Sequence, residues 1–82
     1  MKSEIDIYVT QAIRKRREKL GISQEALAYQ IGRTGTCIAN IENGTRKYTV
    51  THIYLIAIAL KCSVNDFFPD KPIFSKDTRT RK

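Results

Sequence analysis

Closely spaced glycines are the feature of this sequence that most limits its fold. Gly21, Gly32 and the pair Asn43-Gly44 each follow a short segment in which apolar residues recur at helical spacing. Glycine is favoured just after a helix, where the backbone takes a positive φ. Segments this short are marginal as isolated helices, so they must pack together to persist. The pattern predicts a cluster of short helices.

Serine or threonine stands at the start of the later segments, where an N-cap belongs. Ser23, Thr34 and Ser63 can each accept a hydrogen bond from a free amide of the next turn, and Thr49 or Thr51 can do so for a fourth helix. That fourth helix is apolar almost all round and is expected to form the centre of the core. With a last short turn after it, the sequence predicts five short helices and an all-α fold.

The length and charge of the chain narrow its possible partners. Its 82 residues suffice for one small domain, which we place at residues 1–68, followed by a basic C-terminal tail at 69–82. The net charge of +7 favours a polyanion such as nucleic acid or an anionic membrane surface, although some basic proteins are merely soluble. No apolar run approaches the roughly 18 residues of a membrane span, and no export signal is visible. We therefore expect a cytoplasmic protein.

Residues that could support catalysis or metal binding are sparse and isolated. Cys37 and Cys62 lack the paired Cys/His spacing of a zinc site and are too few for a disulfide scaffold. His52 has no second ligand four residues away. No glycine-rich phosphate loop, catalytic carboxylate pair or nucleophile–base pair stands out. We expect no enzyme, metal, cofactor or small-molecule substrate.

Two short helices joined by a tight turn, the second on a basic surface, indicate a helix-turn-helix. Three stretches resemble the Cro/C1-type (XRE family) helix-turn-helix proteins, the family of the phage repressors: LGISQEALA (residues 20–28), IANIENG (38–44) and IYLIAIALKCSV (53–64). The resemblance implies a compact five-helix lambda-repressor-like domain that binds double-stranded DNA, with its third helix in the major groove.

The same resemblance implies a set of groove-facing residues. Gln24 corresponds to a glutamine that contacts phosphate, and Thr34, Gly35, Thr36 and Asn40 correspond to positions that face the major groove. Asparagine can pair with adenine through two hydrogen bonds, and threonine can touch a thymine methyl. Gly35 departs from the long polar side chain common in the family. It either lets the backbone approach the DNA or leaves one base without a contact.

Further positive groups flank the third helix. Arg33 precedes it and could bind either a phosphate or a guanine, and the sequence does not choose between them. Arg46, Lys47 and Tyr48 follow it, in the loop where the family contacts the DNA backbone. Two cations and a phenol hydroxyl suit phosphate contacts, which set affinity and salt dependence rather than sequence preference.

Two further features concern packing rather than DNA. Arg17 and Glu42 resemble an ion pair that links the first and third helices in this family, and we interpret it as structural. A single small module contacts only a few base pairs, so we expect a homodimer on an inverted repeat. Candidate residues for the dimer surface are Val64, Phe67, Phe68 and Phe74, although Val64 and Phe67 could equally pack under the fourth helix.

These inferences indicate a sequence-specific transcriptional regulator that acts as a homodimer on an operator. Within the family, a phage-like repressor and a controller protein of a restriction-modification operon fit about equally, and either would be bacterial or phage-encoded and associated with the nucleoid. An alternative is an antitoxin or adaptor that binds a protein through residues 69–82, with DNA binding secondary. A nonspecific basic DNA-binding protein is the third possibility.

Overall fold

The computed structural model describes residues 3–72, and within that range the backbone is helical with no strand. It contains α1 (Glu4–Lys19), α2 (Gln24–Gln30), α3 (Gly35–Glu42), α4 (Val50–Ala59) and a 3-10 helix (Val64–Phe67). The all-α prediction is confirmed, but the fifth helix is a single 3-10 turn. Pro69 follows and disfavours helical backbone at Phe68, which is extended with φ −114° and ψ 150°.

The predicted N-caps lie where the hydroxyl pattern placed them. Ser23, Thr34 and Ser63 each accept a hydrogen bond from a backbone amide of the following turn, at 3.0, 3.3 and 3.1 Å. The fourth helix is capped by Thr49 rather than Thr51, through a 3.1 Å bond from the amide of residue 52. Helix starts are therefore fixed by local side-chain chemistry.

The four α-helices end in one kind of turn. Gly21, Gly32 and Gly44 follow α1, α2 and α3 with φ of 71°, 74° and 96°. After α4 the same position is filled by Lys61, with φ 57°. The amide of Cys62 then donates to the carbonyl oxygen of Ala57 at 2.9 Å, which closes the turn and satisfies the end of α4. Lys61 thus carries a side chain where glycine is favoured.

Replacing Lys61 with glycine is expected to raise the free energy of unfolding by about 1 kcal/mol. The left-handed backbone at Lys61 is unfavourable by roughly 1–2 kcal/mol for a residue with a Cβ, and the greater freedom of glycine in the unfolded chain offsets part of the gain. Urea denaturation measures the difference. Lys61→Ala keeps the Cβ and should change little, whereas a loss of stability in Lys61→Gly would contradict the prediction.

The core lies where the inner faces of the helices meet. Its largest fully buried side chains are Ile13, Leu27, Ile38, Ile41, Ile56, Leu60 and Phe67. As expected, α4 contributes to the core, through Ile56 and Ala57, but it is buried on one side only, because Val50, Tyr54 and Ile58 are 84%, 60% and 59% exposed. The helix packs against α2 and the 3-10 helix, so its remaining face stays open. Among residues 3–72, no helix is long and apolar enough to cross a membrane.

The residues assigned to a dimer surface divide between core and exterior. Phe67 is only 1% exposed and belongs to the hydrophobic core, which corrects its assignment to that surface. The 3-10 helix packs against both α1 and α4, and this packing buries the Phe67 ring. Val64 and Phe68 are 36% and 38% exposed and stay available to a partner. Phe74 lies outside the described residues.

Candidate nucleic-acid interface

The start of α2 and the start of α3 together form an open groove on the protein surface. Residues from both helices and their caps line it: Ser23, Gln24, Glu25, Thr34, Gly35, Thr36 and Ala39. The sequence predicted Gln24, Thr34, Gly35 and Thr36 in this set, and the fold brings them together. Hydroxyl and carboxamide groups beside helix N-termini are suited to hydrogen bonds with phosphates and base edges.

Gly35 has a packing role that the sequence did not reveal. A Cβ at this position would lie 3.1 Å from Cγ of Glu25 and 3.5 Å from its Cα. The missing side chain therefore allows α3 to approach α2 closely. A side chain at the start of α3 would therefore require Glu25 to shift by a few tenths of an ångström.

The polar residues at the start of α3 and along it differ in exposure and in hydrogen bonding within the protein. The hydroxyl of Thr34 caps the helix, whereas Thr36 is exposed and Asn40 is half-buried. The carbonyl oxygen of Asn40 accepts the amides of Thr45 and Arg46 at 2.9 and 3.2 Å. The backbone of α3 thereby holds the loop that carries the following cations.

Arg17 and Glu42 form a buried ion pair that joins α1 to α3. Nε and Nη2 of Arg17 donate to the two carboxylate oxygens of Glu42 at 2.9 and 3.0 Å, and the side chains are 9% and 4% exposed. Nη1 of Arg17 donates to the carbonyl oxygen of Ile22 at 2.7 Å, and Nε2 of Gln24 donates to Glu42 at 2.9 Å. Gln24 is therefore held from inside the protein, and its carboxamide keeps one further N–H for a phosphate.

In the loop after α3, the side chain of Lys47 lies on the surface and that of Tyr48 points inward. Nζ of Lys47 lies 3.5 Å from a carboxylate oxygen of Asp6, which also bonds the Ser3 amide in a capping box at the start of α1. The Tyr48 hydroxyl is buried without a hydrogen-bond partner in the described residues, and burial raises its pKa. Tyr48 packs against the core, so the expectation that its hydroxyl contacts phosphate is wrong.

Arg33 makes a contact that no local sequence pattern predicts. Its Nε donates to Nε2 of His52 at 3.0 Å, and this bond joins the turn between α2 and α3 to α4. The imidazole is buried and must be neutral to accept this bond. Burial, and then the charges of Arg33 and Arg46, lower the pKa of His52 below its usual value.

The stability of the fold is expected to decrease as the pH falls below about 6.5, the usual histidine pKa. His52 has a lowered pKa in the folded protein, so the unfolded chain takes up a proton first and is stabilised by it. The stability that neutral His52 contributes is fully present above the pKa of His52 in the unfolded chain. It is lost as the pH falls towards the lower pKa of His52 in the folded protein. Urea titrations between pH 7.5 and 5 measure it, and the difference should vanish in His52→Leu. The lowered pKa of Asp6 acts in a separate window below 3.8.

Within residues 3–72, no group of three or more histidine, cysteine or acidic side chains is arranged to hold a metal ion. Cys37 and Cys62 are both free thiols and half-buried. The polar side chains that line the groove between α2 and α3 are hydroxyls, one carboxamide and the carboxylate of Glu25.

Comparison with known proteins identifies the class to which this face belongs. The helix-turn-helix family model matches residues 13–67. An uncharacterised HTH-type transcriptional regulator of Sinorhizobium medicae is 40% identical over 68 residues, which cover 83% of this chain and 49% of the regulator. The chain thus spans about half the length of that relative. Control protein C.MunI of a Mycoplasma species is 34% identical over 55 residues, covering 67% of this chain and 74% of that protein.

Solved structures agree with this result. The restriction-modification controller protein C.AhdI from Aeromonas hydrophila has a TM-score of 0.69 at 29% identity, over 76% of this chain and 94% of that protein. Hydroxypropylphosphonic acid epoxidase from S. wedmorenis matches with the same TM-score and identity, but over only 34% of its own chain. The present chain belongs to the Cro/C1-type (XRE family) helix-turn-helix family.

Proposed function

We propose that the protein is a sequence-specific, double-stranded DNA-binding transcriptional regulator without enzymatic activity, and that it acts as a homodimer on an operator. The supporting observation is the groove between α2 and α3, in which the predicted Gln24, Thr34, Gly35 and Thr36 meet. Binding to chromosomal DNA would place it in the cytoplasm, at the nucleoid. The similarity to controller proteins favours that role over a phage-like repressor.

Specificity and affinity are assigned to different residues. Thr36 and Asn40 are the candidates for base contacts, since they are uncharged and lie on α3. Arg33, Arg46 and Lys47 are the candidates for phosphate contacts, with Gln24 at the start of α2. Gly35 contributes the close approach of α3 to α2 instead of a side-chain contact with a base.

The dimer surface is proposed to include the exposed face of α4 as well as the residues beyond it. Tyr54 and Ile58 are one helical turn apart and are 60% and 59% exposed. Val64 and Phe68 add half-exposed apolar area next to them in the chain, on an element that packs against α4. Apolar area of this kind on a small protein is typical of an interface, and a second copy is the partner that a palindromic operator requires.

Selection of bound sites from random duplex DNA tests the function. We expect a palindromic consensus, and Thr36→Ala and Asn40→Ala should relax it at single positions, each by about 1–3 kcal/mol of discrimination. Arg46→Ala should weaken binding to every sequence and reduce the slope of log K against log salt by roughly 0.9. A wild-type protein without any consensus would show that binding is nonspecific.

A charged substitution on α4 tests the dimer. Ile58→Asp should give a monomer in sedimentation at micromolar concentration, and its affinity for a palindromic site should fall roughly 10²–10⁴-fold because bivalent binding is lost. The control is Tyr29→Asp, since Tyr29 is an aromatic side chain on α2 that is 86% exposed. If both variants remain dimers, the α4 surface is not the interface.

A further inference from the structure

Arg33 and Arg46 have no acidic partner among the described residues. Among residues 3–72, the ion pairs involve Arg14, Arg17 and Lys47 as the basic members. Arg33 and Arg46 are both exposed, and both lie close enough to His52 for their charges to act on it. Two unneutralised cations beside one imidazole form a site that attracts an anion.

His52 fixes one edge of the Arg33 guanidinium. The bond from Nε of Arg33 to Nε2 of His52 is 3.0 Å long and uses the edge nearest the side-chain stem. Both terminal nitrogens remain, and together they can donate two parallel hydrogen bonds to a phosphate. Because a free arginine side chain loses about 2 kcal/mol of rotamer entropy when it is fixed, holding it beforehand favours binding.

The imidazole of His52 is not the side chain that would best stabilise the fold at this position. With Nε2 accepting from Arg33, the ring proton lies on Nδ1, and Nδ1 is buried without a hydrogen-bond partner in the described residues. A buried donor left unsatisfied is unfavourable, and an apolar side chain of similar size would avoid this. His52 therefore orients the Arg33 side chain but stabilises the fold less than an apolar side chain would.

We propose that His52 is a positioning residue that holds Arg33 as a phosphate ligand, so that Arg33 and Arg46 together bind the DNA backbone beside the start of α3. This proposal rests on the proposed DNA-binding function. It assigns Arg33 to phosphate rather than to guanine, because Arg46 is a second exposed cation whose charge also acts on His52. His52 itself does not touch the DNA.

A double-mutant cycle on the full chain tests the proposal. The variants are Arg33→Met, His52→Leu and both together, and fluorescence anisotropy measures their affinity for the duplex obtained by site selection. We expect Arg33→Met to weaken binding about ten-fold and to lower the salt slope by roughly 0.9. His52→Leu should weaken binding several-fold in the wild-type background and have no effect in Arg33→Met.

Two further measurements separate positioning from a structural role. His52→Leu should unfold at the same or a higher urea concentration at pH 7.5, since it removes the unsatisfied Nδ1–H, although it binds DNA less tightly. His52→Gln supplies an acceptor oxygen of similar reach and should recover most of the affinity. In NMR spectra of the free protein, the Nε proton of Arg33 should exchange more slowly in the wild type than in His52→Leu.

The possible failures are distinguishable. If wild-type protein binds no DNA sequence, the proposed function fails, and this inference with it. If the protein binds its site but His52→Leu has the same effect with and without Arg33, only the positioning role is overturned. If Arg33→Met changes the preference at one base pair and leaves the salt slope unchanged, Arg33 contacts a base, and the assignment to phosphate is overturned.

Discussion

Glu42→Ala is expected to lower the free energy of unfolding by about 3–5 kcal/mol, which is a large share of the stability of so small a domain. The carboxylate accepts two hydrogen bonds from Arg17 and one from Gln24. Its removal leaves the guanidinium of Arg17, whose side chain is 9% exposed, with the Ile22 carbonyl oxygen and the half-exposed carboxylate of Glu18, which lies 3.8 Å from Nη2. A guanidinium at this burial that loses its two-hydrogen-bond carboxylate partner and keeps only a longer contact to a half-exposed carboxylate is strongly unfavourable.

Urea denaturation of three variants measures this effect. Arg17→Met combined with Glu42→Leu removes both charges together and should recover most of the loss, since no buried charge then lacks a partner. Arg14→Ala is the matched control, because it breaks an Arg–Glu pair whose side chains are 56% and 53% exposed, and it should change stability by less than about 1 kcal/mol. A Glu42→Ala variant as stable as Arg14→Ala would contradict the structural role of the pair.

Phe67→Ala is expected to destabilise the fold by about 3–5 kcal/mol, whereas Phe68→Ala should change monomer stability by about 1 kcal/mol or less. The two residues are adjacent in the chain and have the same side chain, but Phe67 is 1% exposed and Phe68 is 38% exposed. Deleting the Phe67 ring leaves a cavity between α1, α4 and the 3-10 helix. Deleting the Phe68 ring mainly removes surface.

The two phenylalanine variants also distinguish packing within the monomer from association into a dimer. Thermal unfolding at a low protein concentration reports the stability of the monomer, and sedimentation over a range of concentrations reports association. Phe68→Ala should weaken the dimer and leave the monomer intact. Equal losses of monomer stability in both variants would show that Phe68 is packed as deeply as Phe67, and unchanged association of Phe68→Ala would remove Phe68 from the interface.

Features governed by neighbouring residues were predictable from the sequence. The N-caps Ser23, Thr34 and Ser63 act on amides within the next three residues, so the pattern of hydroxyls locates them. Helix ends follow glycine for the same reason, apart from Lys61, where the turn forms without one. The groove residues came from the resemblance to a family, and the fold places Gln24 and the start of α3 on one face.

Features governed by distant residues were not predictable. The Arg33–His52 bond spans 19 residues, and neither side chain carries a local pattern that indicates the other. Tyr48 lies in a polar loop, but its ring turns into the core and takes its hydroxyl with it. Phe67 and Phe68 look alike in the sequence, and the backbone direction before Pro69 decides which ring is buried.

The contact between α2 and α3 at Gly35 limits how this protein could acquire a new DNA target. A longer residue at that position would require Glu25 to shift by a few tenths of an ångström, because a Cβ would lie 3.1 Å from its Cγ. Randomisation of position 35 in a library aimed at altered specificity therefore tests the packing against Glu25 as well as the contact with DNA. Thr36 and Asn40 already carry a Cβ, so varying them introduces no new Cβ against Glu25, and varying Glu25 together with Gly35 would relieve the contact when a third position is added.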